Sequence, residues 1–89
     1  MLDKKKKDRI IAKHRTHDTD TGSPQVQIAL LTAEMKELSE HLLDHKKDFS
    51  SRKGLLRKVS ERRRLLKYLK REDAKAHEEL VGALKLKKK

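Results

Sequence analysis

Eighty-nine residues without a cysteine make one small domain, residues 1–89, with no disulfide framework and no Cys/His spacing for a zinc staple. The formal charge is +11 and charged residues make up 44% of the chain, so no apolar run is long enough to span a membrane. The lysine-rich start lacks the apolar region of a signal peptide, and the expected location is the cytoplasm.

Four helices are expected, over about residues 3–14, 24–44, 50–72 and 74–85, followed by a mobile basic tail at 86–89. In the first, Ile10 and Ile11 are the apolar anchors. "RTHDTDTGS" is a run of turn formers and reads as a loop. Ser23 then offers an acceptor to an orphan amide, and Pro24 at the first helical position loses no needed donor. From there Ile28, Leu31, Met35, Leu38 and Leu42 recur at three and four residues, the stripe of a long amphipathic helix.

The third segment carries Leu55, Leu56, Val59, Leu65, Leu66 and Leu69 as its expected buried stripe. Gly54 inside it costs roughly 1 kcal/mol relative to alanine, which suggests a close backbone approach. Asp73 reads as the N-cap of a last helix with Leu80, Val81 and Leu84 on its apolar face. Strand signals are absent. The fold class is therefore all-α, a four-helix domain built on a long antiparallel hairpin of the second and third helices, whose short "HKKDF" connection favours antiparallel neighbours.

The charge is unevenly placed. Residues 1–45 balance eight basic against eight acidic side chains. Residues 46–71 set twelve basic side chains against Asp48 and Glu61, a net of +10, and residues 72–89 add a net of +1. Clustering of one sign on a single element is the footprint of a nucleic-acid binder. The chemistry of an enzyme has no residues to rest on: there is no nucleophile paired with a base, no glycine-rich phosphate loop and no carboxylate pair in a cleft. His41 and His45 stand at i, i+4, but no third ligand follows at a motif spacing, so no metal and no cofactor are expected.

Among nucleic acids, folded RNA fits best. The basic helix is too long for the recognition helix of a helix-turn-helix protein. Aromatic side chains for stacking unpaired bases are nearly absent, Tyr68 being the one weighed in the basic segment, which argues against a single-strand platform. The shallow minor groove of RNA exposes 2′-hydroxyls and the guanine amino group. Asp48 can only accept hydrogen bonds, whereas Ser51 and His41 can donate or accept, and the hairpin turn brings all three to one tip. Asp48 or Ser50 also suits the N-cap of the third helix.

A second polar cluster follows from heptad spacing. Arg57, Arg64 and Arg71 share one side of the third helix with Tyr68, and Gln27, Glu34 and His41 share one side of the second. Antiparallel packing sets Gln27 and the "DTGS" loop near Arg64, Tyr68 and Arg71, about five helical turns from the tip, or roughly 27 Å.

The stretches "DTGSPQVQIALLT" and "HLLDHKKDFSSRKGLLRKVSERRRLLKYLKRED", with the chain length, closely resemble the bacterial small-subunit ribosomal protein S-fifteen family over about residues 19–85. The resemblance implies a four-helix protein that binds the central domain of 16S ribosomal RNA directly and nucleates assembly of the small subunit. It implies two contacts, a three-way junction and a neighbouring base-paired motif. His41, Asp48 and Ser51 match positions at the base-paired motif. Thr21, Gly22, Gln27, Arg64, Tyr68 and Arg71 match or adjoin positions facing the junction. Lys46, Lys47, Arg52 and Arg63 are the expected phosphate contacts. Implied partners are other small-subunit proteins, the large subunit across an intersubunit bridge and, in some bacteria, the protein's own messenger RNA. Glu34 departs from what RNA would favour at the middle of the hairpin. The competing readings from the residues are a nonspecific basic nucleic-acid binder and a purely structural helical hairpin.

Overall fold

The computed structural model describes residues 2–17 and 22–86. Each helix starts where a side chain satisfies the amides that a first turn leaves without partners. Asp3 accepts from the Lys6 amide at 2.8 Å and opens α1, Lys4–His14. Ser23 Oγ accepts from the Val26 amide at 3.3 Å, and Pro24 occupies the first position of α2, Pro24–Asp44. Asp48 caps α3, Phe49–Glu72. Asp73 ends α3 by donating its amide to the Leu69 carbonyl at 2.7 Å, then caps α4, Ala74–Ala83, by accepting from the Ala76 amide at 3.1 Å.

α2 and α3 form the antiparallel hairpin. The pairings His41–Asp48, Glu34–Lys58 and Thr32–Arg62 run in opposite directions along the two helices. At about 1.5 Å per residue the 24 residues of α3 extend about 36 Å, which sets the 40 Å long dimension of the molecule. Among the described residues no helix is long and apolar enough to cross a membrane.

The core gathers at the end of the hairpin away from the turn. Ile28 of α2, Leu69 of α3 and Leu80 of α4 form its buried centre, with Leu65, Leu66, Ala76 and Leu84 packed against it. Val26 and Ala29, outside the expected stripe, are buried as well. α2 packs against α1 as well as α3, so its buried face is wider than one stripe. Leu2 is buried, and Ile10 and Ile11 are half-buried, on the α1 side. Lys6 of α1 reaches Glu37 of α2 at 3.0 Å.

Three expectations are corrected. Leu56, placed in the buried stripe of α3, is 61% exposed, because its position turns it off the face that carries Leu55, Val59 and Leu66. Nothing among the described residues beyond its own helical turn lies within 4 Å of where a Cβ on Gly54 would stand, so no described residue of another element crowds its backbone. α4 ends at Ala83 rather than 85. There Lys85 takes a left-handed φ of 56°, its amide donates to the Gly82 carbonyl at 3.2 Å and the Leu86 amide to the Val81 carbonyl at 2.9 Å. That bond pair is the Schellman stop, which satisfies carbonyls the last turn would leave open. Of the expected tail, residues 87–89 lie outside the described residues, as does Thr21.

Candidate nucleic-acid interface

The hairpin turn is four residues, His45 to Asp48, closed by the Asp48 amide donating to the His45 carbonyl at 3.1 Å. It brings together the three residues that the sequence pointed to. Asp48 Oδ1 accepts from the Ser51 amide at 3.1 Å, which is the helix cap. Asp48 Oδ2 accepts from the Ser51 hydroxyl at 2.7 Å and pairs with His41 Nε2 at 2.8 Å. The Ser51 hydroxyl and amide, and then His41, hold the Asp48 carboxyl well below the usual carboxylate range. A carboxylate only accepts, so His41 Nε2 carries the proton in this contact. The His45 ring stacks on His41 with centroids 4.3 Å apart, and its Nδ1 donates to the His41 carbonyl at 3.1 Å.

This bonding defines what the tip can offer. A carboxylate has about four lone-pair sites; three are used, and one on Oδ1 is left. The donors of Ser51 Oγ and His41 Nε2 are spent on Asp48. What the tip keeps unspent is acceptor capacity, on Asp48 Oδ1 and on the lone pairs of Ser51 Oγ. The tip therefore suits a donor such as an amino group or a hydroxyl, and is unsuited to phosphate. Lys46 and Lys47 stand exposed beside it, and Arg52 Nη2 is fixed on the Lys46 carbonyl at 2.9 Å. Cation and acceptor thus divide one turn between them.

At the other end of the hairpin, Nε2 of the exposed Gln27 donates to the Gly22 carbonyl at 2.6 Å, tying the first turn of α2 to the loop before it. On α3 the Arg71 guanidinium lies over the Tyr68 ring, 5.5 Å from its centroid, and Tyr68 is 46% exposed. Arg64 is exposed one helical turn before Tyr68, where it borders a shallow cleft with Leu56, Arg57, Ser60 and Glu61. Arg63, expected on phosphate, is exposed on the neighbouring side of the helix.

The middle of the hairpin explains Glu34. Its carboxylate pairs with Lys58 Nζ at 3.0 Å, both side chains being more than three-quarters buried. Arg62 reaches the Thr32 hydroxyl at 3.3 Å, and Thr32 donates to the Ile28 carbonyl at 2.8 Å. Glu34 is thus spent on the seam between α2 and α3. Sequence reasoning missed Phe49, which is 63% exposed at the tip with the Arg52 guanidinium 5.7 Å from its ring centroid. The signal was available, since an aromatic three residues before an arginine on a helix puts both on one side. Among the described residues no group of His, Asp and Glu could hold a metal ion.

A helical hairpin with one cation-covered helix, a bonded polar cluster at its turn and the separate pairs Gln27–Gly22 and Arg71–Tyr68 towards its other end defines a small, basic all-α protein. A profile of the family described as Ribosomal protein S15 matches residues 6–87. The chain belongs to that family. It is 52% identical over 87 residues to the small ribosomal subunit protein uS15 of Lysinibacillus sphaericus, covering 98% of each chain. It is 53% identical over 83 residues to that of Staphylococcus carnosus, covering 93% of each. Against that of Campylobacter lari the identity is 54% over 88 residues, 99% of this chain and 98% of the relative.

Proposed function

We propose that this chain is a protein of the small ribosomal subunit, working in the cytoplasm, that binds 16S ribosomal RNA directly through the two ends of its hairpin. Membership of the family and relatives named small ribosomal subunit protein support the first part. The single observation that carries the second is the bonding of Asp48, which leaves an acceptor-rich tip among exposed cations. His41, Asp48 and Ser51 read a base-paired motif from its minor groove, the remaining lone pair of Asp48 Oδ1 taking a guanine amino group or a 2′-hydroxyl. Gly22, Gln27, Arg64, Tyr68 and Arg71, with Thr21, contact a three-way junction in the central domain. Lys46, Lys47, Arg52 and Arg63 meet phosphates and supply affinity that falls with salt.

The rigid hairpin holds the two RNA features at a set separation, and that is how the protein nucleates assembly. Placement at the subunit interface, with a bridge to the large subunit, belongs to the same reading. No step of it is chemical catalysis.

Asp48→Asn tests the assignment: asparagine also caps helices, and the exchange sets an NH2 donor where Oδ2 accepts from Ser51 and His41, which undoes the bonding that makes the tip an acceptor. The expected result is weaker binding to the cognate central-domain fragment and unchanged binding to unrelated duplex RNA. Lys47→Ala is expected to weaken both and to reduce the salt slope by about 0.9, the value for one phosphate contact. Equal losses on both RNAs from Asp48→Asn would refute the acceptor role. Chemical footprinting of 16S ribosomal RNA should show two separate protected patches; one diffuse patch would refute the two-site reading.

A further inference from the structure

Between α3 and α4 a groove of about 750 Å³ opens that uses none of the tip residues and none of Gly22, Gln27, Arg64, Tyr68 or Arg71. Val59 and Leu66 of α3, Val81 of α4 and Leu86 beyond it supply an aliphatic lining, all four buried or half-buried. Every charged side chain around that lining is a cation: Arg62, Arg63, Lys67 and Lys70 from α3, and Lys85 across from them. Arg62 is partly engaged by Thr32; Arg63, Lys67, Lys70 and Lys85 are exposed.

His77 lines the same groove and is only 9% exposed. No group among the described residues is hydrogen-bonded to its ring. Yet no side-chain nitrogen or oxygen among the described residues is both fully covered and without a partner. The ring nitrogens of His77 therefore each keep a little accessible surface, on a residue that lines the groove.

We propose that this groove binds an acidic amphipathic helix of a protein partner. Apolar residues at helical spacing would cover the Val59, Leu66, Val81 and Leu86 lining, carboxylates on the flanks of that stripe would meet the cations, and one polar group would bond His77. The lining decides against the alternatives. Phosphates would meet only the rim and leave the aliphatic floor wet, and the groove has no exposed aromatic face on which a base could stack. A second copy of the chain would bring cations to cations through the exposed Phe49 and Leu56, which are flanked by Arg52, Lys53 and Arg57. The exposed Leu43, beside Glu40 and Asp44, has no second exposed apolar residue at helical spacing with which to form a stripe. Residues 87–89 are lysines of the same sign. Arg63 is shared with the RNA reading as a phosphate contact, whereas the aliphatic lining, His77, Lys67, Lys70 and Lys85 have no part in that reading.

Three labelled helical peptides test it on the full-length protein: a leucine stripe with glutamate flanks, the same stripe with lysine flanks, and a serine stripe with glutamate flanks. Anisotropy gives affinity, and NMR shifts of the His77 ring and the Val81 methyls give location. The first peptide alone is expected to bind saturably and to move both sets of resonances. Joint Lys67→Glu and Lys70→Glu exchange should weaken it by about tenfold or more. Both sites are exposed, so the variant should melt near the parent, and residual His77 shifts with the first peptide at high concentration would place its remaining binding in the groove. Comparable binding of either other peptide overturns the proposal, as does saturable binding that leaves His77 and Val81 unmoved. A generic RNA duplex that shifts His77 and Val81 as the peptide does would make the groove a nucleic-acid surface and overturn it too.

Discussion

Lys85 is the one non-glycine residue described with positive φ, at 56°, and it sits where α4 stops. An L-residue with a Cβ pays about 1–2 kcal/mol for the left-handed conformation. Glycine pays nothing there but loses about 0.5–1 kcal/mol through its freer unfolded chain. The two Schellman bonds, at 3.2 and 2.9 Å, are backbone bonds and survive any side-chain exchange. Replacing lysine also removes a cation that favours a helix C-terminus, so the informative comparison is Lys85→Gly against Lys85→Ala, which share that loss. The glycine variant should be the more stable by about 0.5–1 kcal/mol, which for a domain of this size raises the melting temperature by roughly 3–6 °C. Thermal unfolding followed by circular dichroism at fixed pH and salt measures it. Equal melting of the two variants, or a more stable alanine, would refute the left-handed stop at Lys85.

The core and the corrected stripe can be separated by truncation. Leu69→Ala should lower stability by about 2–5 kcal/mol, whereas exposed Leu56→Ala should stay within about 0.5 kcal/mol, both read from urea midpoints. The Glu34–Lys58 pair bridges the seam at 3.0 Å, and a double-mutant cycle with Glu34→Gln and Lys58→Met should return a coupling of about 0.5–1.5 kcal/mol; a value near zero would make the contact incidental. Asp48 has a folded-state pKa below its unfolded value, chiefly through Ser51. Its contribution is therefore complete above the unfolded pKa, near 3.9, and is lost as pH falls toward the folded value. The stability difference between the parent and Asp48→Asn should shrink between about pH 5 and pH 3, and a difference constant over that range would contradict the Ser51 and His41 hydrogen bonds.

Local signals in the chain are enough for the outline of this protein. Ser23 before Pro24, and Asp73 between two apolar-periodic runs, mark helix ends because capping is a contact over three residues. The 3.6-residue recurrence from Ile28 to Leu42 marks a helix, and twelve cations among residues 46–71 mark a strongly basic one. Each depends only on near neighbours, which sequence order preserves. Heptad spacing and one short turn were enough to bring His41, Asp48 and Ser51 to the same tip.

Tertiary structure decided the rest. That Asp48 spends three of its lone pairs on Ser51 and His41, and so leaves acceptors unspent, depends on distances across the turn. That Glu34 is neutralised by Lys58 depends on the register of two helices, which no pattern within either one contains. Leu56 reads as core by hydrophobicity and is exposed because the face of α3 that packs on its neighbours is the one carrying Leu55, Val59 and Leu66. The groove beside His77 exists only because Asp73 folds α4 back along α3. Interactions between residues distant in sequence require the relative placement of whole helices, and in this chain that placement is what turns a run of cations into separate surfaces with different chemistry.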